Sequence, residues 1–126
     1  MKKLLILLAV VLSAVVVRAG EYPDISITEL KTAIKDKSAV IIDVNGSDSY
    51  KAGHIPGAVD FETQQAALAK ILPADKNALV VAYCGGPQCN AYTAAAKAAK
   101  ALGYTNVKHL SAGISGWKEA GAPLEK

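Results

Sequence analysis

Cysteine is scarce in this chain of 126 residues, where Cys84 and Cys89 are the only two. A disulfide between them closes a short loop, and such a bridge stabilises a fold by only about 2 kcal/mol. The chain is also long enough to bury a core without disulfides. Stability is therefore a weak reason for the pair, and thiol chemistry is the stronger one.

The spacings that are typical of metal sites are missing as well. The chain has two cysteines and two histidines, but no Cys-x-x-Cys or His-x-x-x-His pair occurs. Zinc sites are commonly built from such close pairs. We therefore expect no metal and no other cofactor.

An excess of charge of one sign is lacking once the amino terminus is set aside. Of the 14 basic residues, Lys2, Lys3 and Arg18 lie in the first 19 positions, which hold none of the 11 acidic residues. The remaining chain is therefore close to neutral. This balance gives no reason to expect a nucleic-acid partner or an anionic membrane surface.

Residues 1–19, MKKLLILLAVVLSAVVVRA, have a basic start, an apolar middle and a small residue at the end. This pattern predicts a secretory signal peptide cleaved after Ala19. The alternative is a membrane anchor, but the apolar stretch of about 14 residues is shorter than the roughly 20 needed to span a bilayer. We expect one domain at 20–126, periplasmic or secreted, without a stable membrane span and acting as a monomer.

The rest of the chain alternates strand and helix patterns. Continuous apolar runs predict buried strands at 39–44 and 78–83, with a short strand at 106–110. Helical patterns occur at five places: from the Ser26 capping box, at 48–51, at 63–72, at 90–104 and at 115–121. Such alternation predicts an α/β fold with a central parallel sheet and helices on both faces.

Cys84 comes directly after the second apolar run and before the helix that starts near Asn90. Ligands of parallel α/β folds bind beyond the carboxyl ends of the strands. The intervening GGPQ has two glycines that can turn backbone N–H groups inward, an arrangement that binds anions and lowers the pKa of a thiol. The alternative is that Cys84 only fills space as a small apolar residue.

These patterns resemble the rhodanese family in five motifs that follow the family's order. They are Asp43-Val44, Gly53-His54-Ile55-Pro56-Gly57-Ala58, the cysteine loop, Gly103-Tyr104 and Gly116-Trp117. The resemblance implies a rhodanese-like three-layer fold and sulfur transfer through a cysteine persulfide. It implies Cys84 as the nucleophile, with a small sulfur-containing anion or a protein persulfide or thiol as partner. Its anion cradle is then formed by the N–H groups of Gly85, Gly86, Gln88, Cys89 and Asn90.

The chain departs from the family in its loop, which has no lysine or arginine between Cys84 and Lys97. Thiosulfate would lose a charge-assisted contact there, so the donor stays open. Cys89 takes the last position of the loop, either as a second catalytic thiol that resolves an oxidised or sulfur-bearing Cys84, or as a residue that fills space. Two other functions therefore stay open: a thiol–disulfide or sulfur-relay protein, and a binding module without turnover.

Four further residues are considered for roles in the site. His54 is expected to bond the backbone of its turn, and His109 to be structural. Asp43 either approaches the site or caps the neighbouring turn. Trp117 is expected to pack in or near the core.

Overall fold

The computed structural model describes residues 22–126. The helices are α1 (Ile27–Lys35), α2 (Ser47–Ala52), α3 (Phe61–Gln64), α4 (Leu68–Ile71), α5 (Thr93–Ala101) and α6 (Gly113–Glu119). The strands are β1 (Ala39–Asp43), β2 (Val59–Asp60), β3 (Leu79–Tyr83) and β4 (Val107–His109). The segment 1–19 lies outside the described residues, so the signal peptide and the export of the domain stay predictions.

The four strands form one sheet in the order β2-β1-β3-β4, and every pair is parallel. Asp43 lies beside Tyr83 of β3 on one side and Asp60 of β2 on the other. The carboxyl ends of three strands therefore meet at one level of the same edge. The predicted α/β fold with a central parallel sheet is confirmed.

The side chains of β3 divide the core into two layers. Successive residues of a strand point to opposite faces of the sheet. Val80 and Ala82 pack on the face that carries α3, α4 and α5, while Val81 and Tyr83 pack on the face that carries α1 and α6. On the first face α5 presents three fully buried alanines, which allow the helix to lie close to the sheet. The expected three layers are thus present.

The predicted start of α1 at Ser26 is confirmed, although the Glu29 carboxylate bonds the Ser26 hydroxyl rather than the Ser26 backbone N–H of a full capping box. The Ser26 hydroxyl accepts a hydrogen bond from the Glu29 N–H at 3.1 Å and donates to the Glu29 carboxylate at 3.0 Å. This pairing satisfies an N–H group that the first helical turn leaves without a partner. The apolar face that follows buries Leu30 and Ala33.

The structure differs from the predictions in one helix, one strand and one helix start. The single helix expected at 63–72 is two short helices joined by the 3₁₀ turn Gln65–Ala67, and it is preceded by β2, which was not predicted. A strand of two residues is too short to produce an alternating pattern. α5 begins at Thr93 rather than near Asn90, because the Asn90 carbonyl closes a separate turn by accepting from the Thr93 N–H and hydroxyl.

Within residues 22–126, no helix has the length and apolar character needed to cross a membrane.

Candidate functional site

Cys84 lies at the carboxyl edge of the sheet, one residue beyond Tyr83 at the end of β3. It is 1% exposed and belongs to the core layer beneath α5. The alternative that Cys84 is a buried small residue is therefore correct for its packing. Burial alone does not decide its chemistry, which depends on the loop that follows.

That loop folds back on itself through a tight turn at Gly86–Cys89. The Cys89 N–H donates to the Gly86 carbonyl at 3.0 Å, and Pro87 takes the second position of the turn, where its fixed φ is favoured. The turn brings the α-carbons of Cys84 and Cys89 to 6.2 Å, and the two residues are joined by a disulfide. The structure thus brings the two predicted catalytic residues together.

The amino terminus of α6 holds the other side of the loop. The Ile114 N–H donates to the Cys84 carbonyl and the Ser115 N–H to the Gly85 carbonyl, both at 2.9 Å. N–H groups in the first turn of a helix have no partner within the helix, so the loop carbonyls satisfy them. Two successive peptide groups after Cys84 are thereby fixed in orientation.

This orientation determines where the loop N–H groups point. In a planar trans peptide the N–H is directed opposite to the C=O, so the N–H groups of Gly85 and Gly86 point away from α6. Among residues 22–126, no hydrogen-bond acceptor is found for the N–H groups of Gly85, Gly86, Gln88 and Asn90. They are consistent with the expected cradle, whose role in binding stays a prediction.

The prediction that the Cys89 N–H belongs to the anion cradle is wrong for this loop. In this disulfide-bonded loop the N–H closes the turn by donating to Gly86. The same turn that binds the Cys89 N–H to the Gly86 carbonyl also brings Cys89 back to Cys84.

Gly113 is a site residue that the sequence analysis missed. A Cβ at this position would lie 2.5 Å from the Gly85 carbonyl carbon and from the Gly86 nitrogen, and its φ is +61°. Glycine is therefore favoured by the backbone conformation and required by the close approach of α6 to the loop. The signal in the sequence was a glycine between the last strand and the last helix, but its partner in the loop is distant along the chain.

A buried hydrogen-bonded pair lies at the carboxyl edge of the sheet, where β1 and β3 end. The Tyr83 hydroxyl donates to Asp43 Oδ2 at 2.5 Å and accepts from the Ile55 N–H at 3.1 Å, while Asp43 Oδ1 accepts from the Asn45 N–H at 2.8 Å. Burial raises the pKa of Asp43, and the hydrogen bonds from Tyr83 and Asn45 oppose that rise. Burial also raises the pKa of Tyr83. Asp43 therefore caps the turn after β1, which was one of the two roles that the sequence left open for it.

The remaining singled-out residues have structural positions. The His54 ring bonds the Tyr50 carbonyl through Nδ1 at 2.7 Å, as expected of a turn histidine. Trp117 is fully buried, and its indole N–H donates to the Pro123 carbonyl at 2.7 Å. In the described part of the chain, no group of three or more His, Cys, Asp or Glu residues is arranged to hold a metal ion.

His109 is buried at the end of β4 and stacks on Tyr92 with ring centroids 3.4 Å apart. Within the described range its Nε2 atom has no hydrogen-bond partner. Burial lowers the pKa of His109 from 6.5, and the charge of Asp24 acts in the opposite direction. The folded protein therefore favours the neutral ring.

We predict that His109→Phe reduces the acid sensitivity of the fold. Below pH 6.5 the unfolded chain takes up a proton that folded His109 resists, so wild-type stability falls as the pH falls toward the lowered folded pKa. Phenylalanine keeps a ring against Tyr92 without titrating. Urea unfolding of wild type and variant at pH 7.5 and at pH 5.5 measures the effect. The prediction is contradicted if the free energy of unfolding falls equally in the two proteins between pH 7.5 and pH 5.5.

Comparison with known proteins gives the same picture across most of the chain. The family model described as Rhodanese-like domain matches residues 26–120. The HTH-type transcriptional regulator Rv0324 of Mycobacterium tuberculosis is 36% identical over 88 residues, which cover 68% of this chain and 37% of the regulator. The chain thus corresponds to well under half of that curated relative's length.

Solved structures agree with the fold. The BH2092 protein from Bacillus halodurans is 28% identical with a TM-score of 0.64, and the match covers 82% of this chain and 77% of that one. A thiosulfate sulfurtransferase from Pseudomonas aeruginosa is 25% identical with a TM-score of 0.61, over 82% of this chain and 20% of that one. The extent of the family match, together with this fold and cysteine loop, identifies the chain as a member of the rhodanese-like domain family.

Proposed function

We propose that the protein is a sulfurtransferase that carries sulfane sulfur as a persulfide on Cys84. Membership of the rhodanese-like family and similarity to a structure named as a thiosulfate sulfurtransferase support the general activity. The persulfide itself is the more specific part of the proposal and depends on the loop of this chain.

The observation that carries the proposal is the pair of hydrogen bonds from α6 to the loop carbonyls of Cys84 and Gly85. These bonds turn two N–H groups away from α6 within two residues of the thiol. Backbone donors fixed in this way stabilise a developing anion without reorganising during the reaction. A persulfide is such an anion, because its outer sulfur carries the negative charge.

In the proposed reaction the Cys84 thiolate attacks the outer sulfur of the donor. With thiosulfate, a bond forms between that sulfur and Cys84 Sγ, the bond to the other sulfur breaks, and sulfite leaves with the electron pair. A thiophilic acceptor then attacks the outer sulfur, and Cys84 leaves as thiolate. The N–H groups of Gly85, Gly86, Gln88 and Asn90 would hold the anionic persulfide between the two steps.

The disulfide favours a second candidate function. A protein whose loop cycles between a dithiol and the Cys84–Cys89 bond is a thiol–disulfide redox protein, and the two α-carbons are within the range that a disulfide requires. This candidate differs from the first in one respect: no sulfur atom is taken up from the donor.

Two matched variants, Cys84→Ser and Cys89→Ser, test the proposed function. Each reduced protein is incubated without oxygen with thiosulfate or inorganic polysulfide, and its intact mass is measured. We expect Cys89→Ser to gain about 32 Da, the mass of one sulfur, and to lose it with cyanide as thiocyanate. Cys84→Ser keeps Cys89 as its one thiol and should gain much less sulfur, because the Cys89 N–H already closes the turn and leaves no oriented donor of its own for a persulfide.

Failure of both donors to add sulfur to Cys89→Ser would reject the persulfide function and leave the redox function as the better one. Equal loading of the two variants would reject Cys84 as the carrier. Each variant retains a single cysteine, so the added mass needs no further assignment.

A further inference from the structure

We propose that Cys89 discharges the Cys84 persulfide within the same loop, so that the sulfur leaves as hydrosulfide and the enzyme is left as the Cys84–Cys89 disulfide. This inference rests on the proposed function, because it requires a persulfide on Cys84. It adds the fate of the sulfur and the chemical class of the partner that restores the enzyme.

The first support is the geometry of the turn. Gly86, Pro87 and the hydrogen bond from the Cys89 N–H direct the chain back toward Cys84, with 6.2 Å between the two α-carbons. Disulfides join α-carbons that are within roughly 7 Å of each other. The bond therefore forms within the turn itself, without displacing a strand or a helix of the fold.

The second support is competition for the persulfide. Cys89 is the only other thiol of the chain and is held five residues from the nucleophile. A nucleophile held in the loop acts at a high effective concentration, whereas an outside acceptor must diffuse to the site. Cys89 is therefore expected to reach Cys84 Sγ before most small thiols reach the outer sulfur.

The atoms and electrons of the step balance. Cys89 Sγ forms a bond to Cys84 Sγ, and the bond between Cys84 Sγ and the outer sulfur breaks. The outer sulfur takes the electron pair and the proton of the Cys89 thiol and leaves as hydrosulfide. The two cysteines are oxidised to a disulfide, and the sulfane sulfur is reduced by two electrons.

The burial of the disulfide indicates how it is reduced. Cys84 is 1% exposed, while Cys89 is partly exposed, so a reductant meets the Cys89 sulfur first. Attack at Cys89 releases Cys84 as the leaving thiolate, which is the form that takes up the next sulfur. We assign a dithiol as the partner that completes the cycle, because its second thiol frees Cys89 by forming the partner's own disulfide.

The test compares wild-type protein with Cys89→Ser. Both are reduced, freed of reductant without oxygen, and treated with thiosulfate labelled in its outer sulfur. Sulfite, labelled hydrosulfide, free thiols and intact mass are measured, and a sample without donor shows that no adventitious oxidation occurs. A parallel series with inorganic polysulfide is read by mass and free thiols alone, because that donor brings its own hydrosulfide.

We expect wild type to release about one labelled hydrosulfide per chain, to lose both free thiols and to become about 2 Da lighter. Cys89→Ser should instead keep the sulfur, with a mass about 32 Da higher and no hydrosulfide. If wild type and Cys89→Ser both keep a stable persulfide, the role of Cys89 is overturned while the proposed function stands. If neither donor loads Cys89→Ser, the proposed function fails, and the inference fails with it.

Discussion

Gly113→Ala is expected to destabilise the protein by about 3 kcal/mol or more. The new methyl group would lie 2.5–2.6 Å from three backbone atoms of Gly85 and Gly86, and the residue would have to keep a φ of +61°. Backbone atoms cannot move aside as a flexible side chain can. The clash is relieved only if α6 separates from the loop.

That separation would also change the candidate site. The Ile114 and Ser115 N–H groups would lose the loop carbonyls that they now hold at 2.9 Å. The Gly85 and Gly86 peptides would no longer be fixed, so the sulfur uptake proposed for Cys84 should fall with stability. Urea unfolding and the mass gain after thiosulfate treatment, measured in the background of Cys89→Ser, give the two readouts.

Gly121→Ala is the matched control for this change. Gly121 has a similar φ of +68°, but a Cβ there would have no heavy atom within 4 Å. It should cost only the strain of a left-handed residue, about 1–2 kcal/mol, and leave sulfur uptake unchanged. Equal losses of stability in Gly113→Ala and Gly121→Ala would show that the close approach of α6 to the loop adds nothing to the cost of the Gly113 substitution.

Tyr83→Phe is expected to destabilise the protein by about 3 kcal/mol at neutral pH. The change removes one hydroxyl that donates to the buried Asp43 carboxylate and accepts from the Ile55 N–H. Both partners are buried in the folded protein, so solvent is not at hand to replace the lost hydrogen bonds. The large effect comes from leaving these groups unpaired, since the volume of the ring is unchanged.

The effect of Tyr83→Phe should depend on pH in a defined direction. The Tyr83 hydrogen bond lowers the pKa of Asp43, which burial has raised above 3.8, so its removal raises that pKa further. A raised folded pKa means that stability is greater at low pH and is lost as the pH rises through that pKa. The difference between variant and wild type should therefore be smaller at pH 4.5 than at pH 7.

Tyr50→Phe provides the comparison for this second prediction. The Tyr50 hydroxyl donates to the Ala58 carbonyl at 2.7 Å, and within residues 22–126 no hydrogen bond joins it to a carboxylate. Its loss should cost about 1 kcal/mol and should vary little between the two pH values. A cost for Tyr83→Phe no larger than this would contradict the role assigned to the buried pair.

Predictions from the sequence were correct where the interacting residues are close along the chain, and they failed where the residues are far apart. The start of α1 was predicted correctly because Ser26 and Glu29 are three residues apart and cap one helical turn. The buried strands β1 and β3 were found because both of their faces are covered, which produces unbroken apolar runs. β2 was missed because its two residues form a strand only beside β1.

The same distinction applies to the candidate site. The position of Cys84 after a strand and before a helix follows from local patterns, and so do the turn residues Gly86 and Pro87. The sequence left open whether Cys89 faces Cys84, because five residues of loop can direct a side chain either way. The turn in the folded loop decided this by bringing the two α-carbons to 6.2 Å.

By itself, the sequence determined the α/β alternation, the family motifs and the place of the thiol, because each is encoded by residues close together along the chain. Only the tertiary structure decided that α6 orients the peptides after Cys84, that Gly113 allows this approach, and that Tyr83 holds Asp43. These contacts join residues that are roughly 30 to 40 positions apart. Such contacts depend on how the layers pack, which no local pattern encodes.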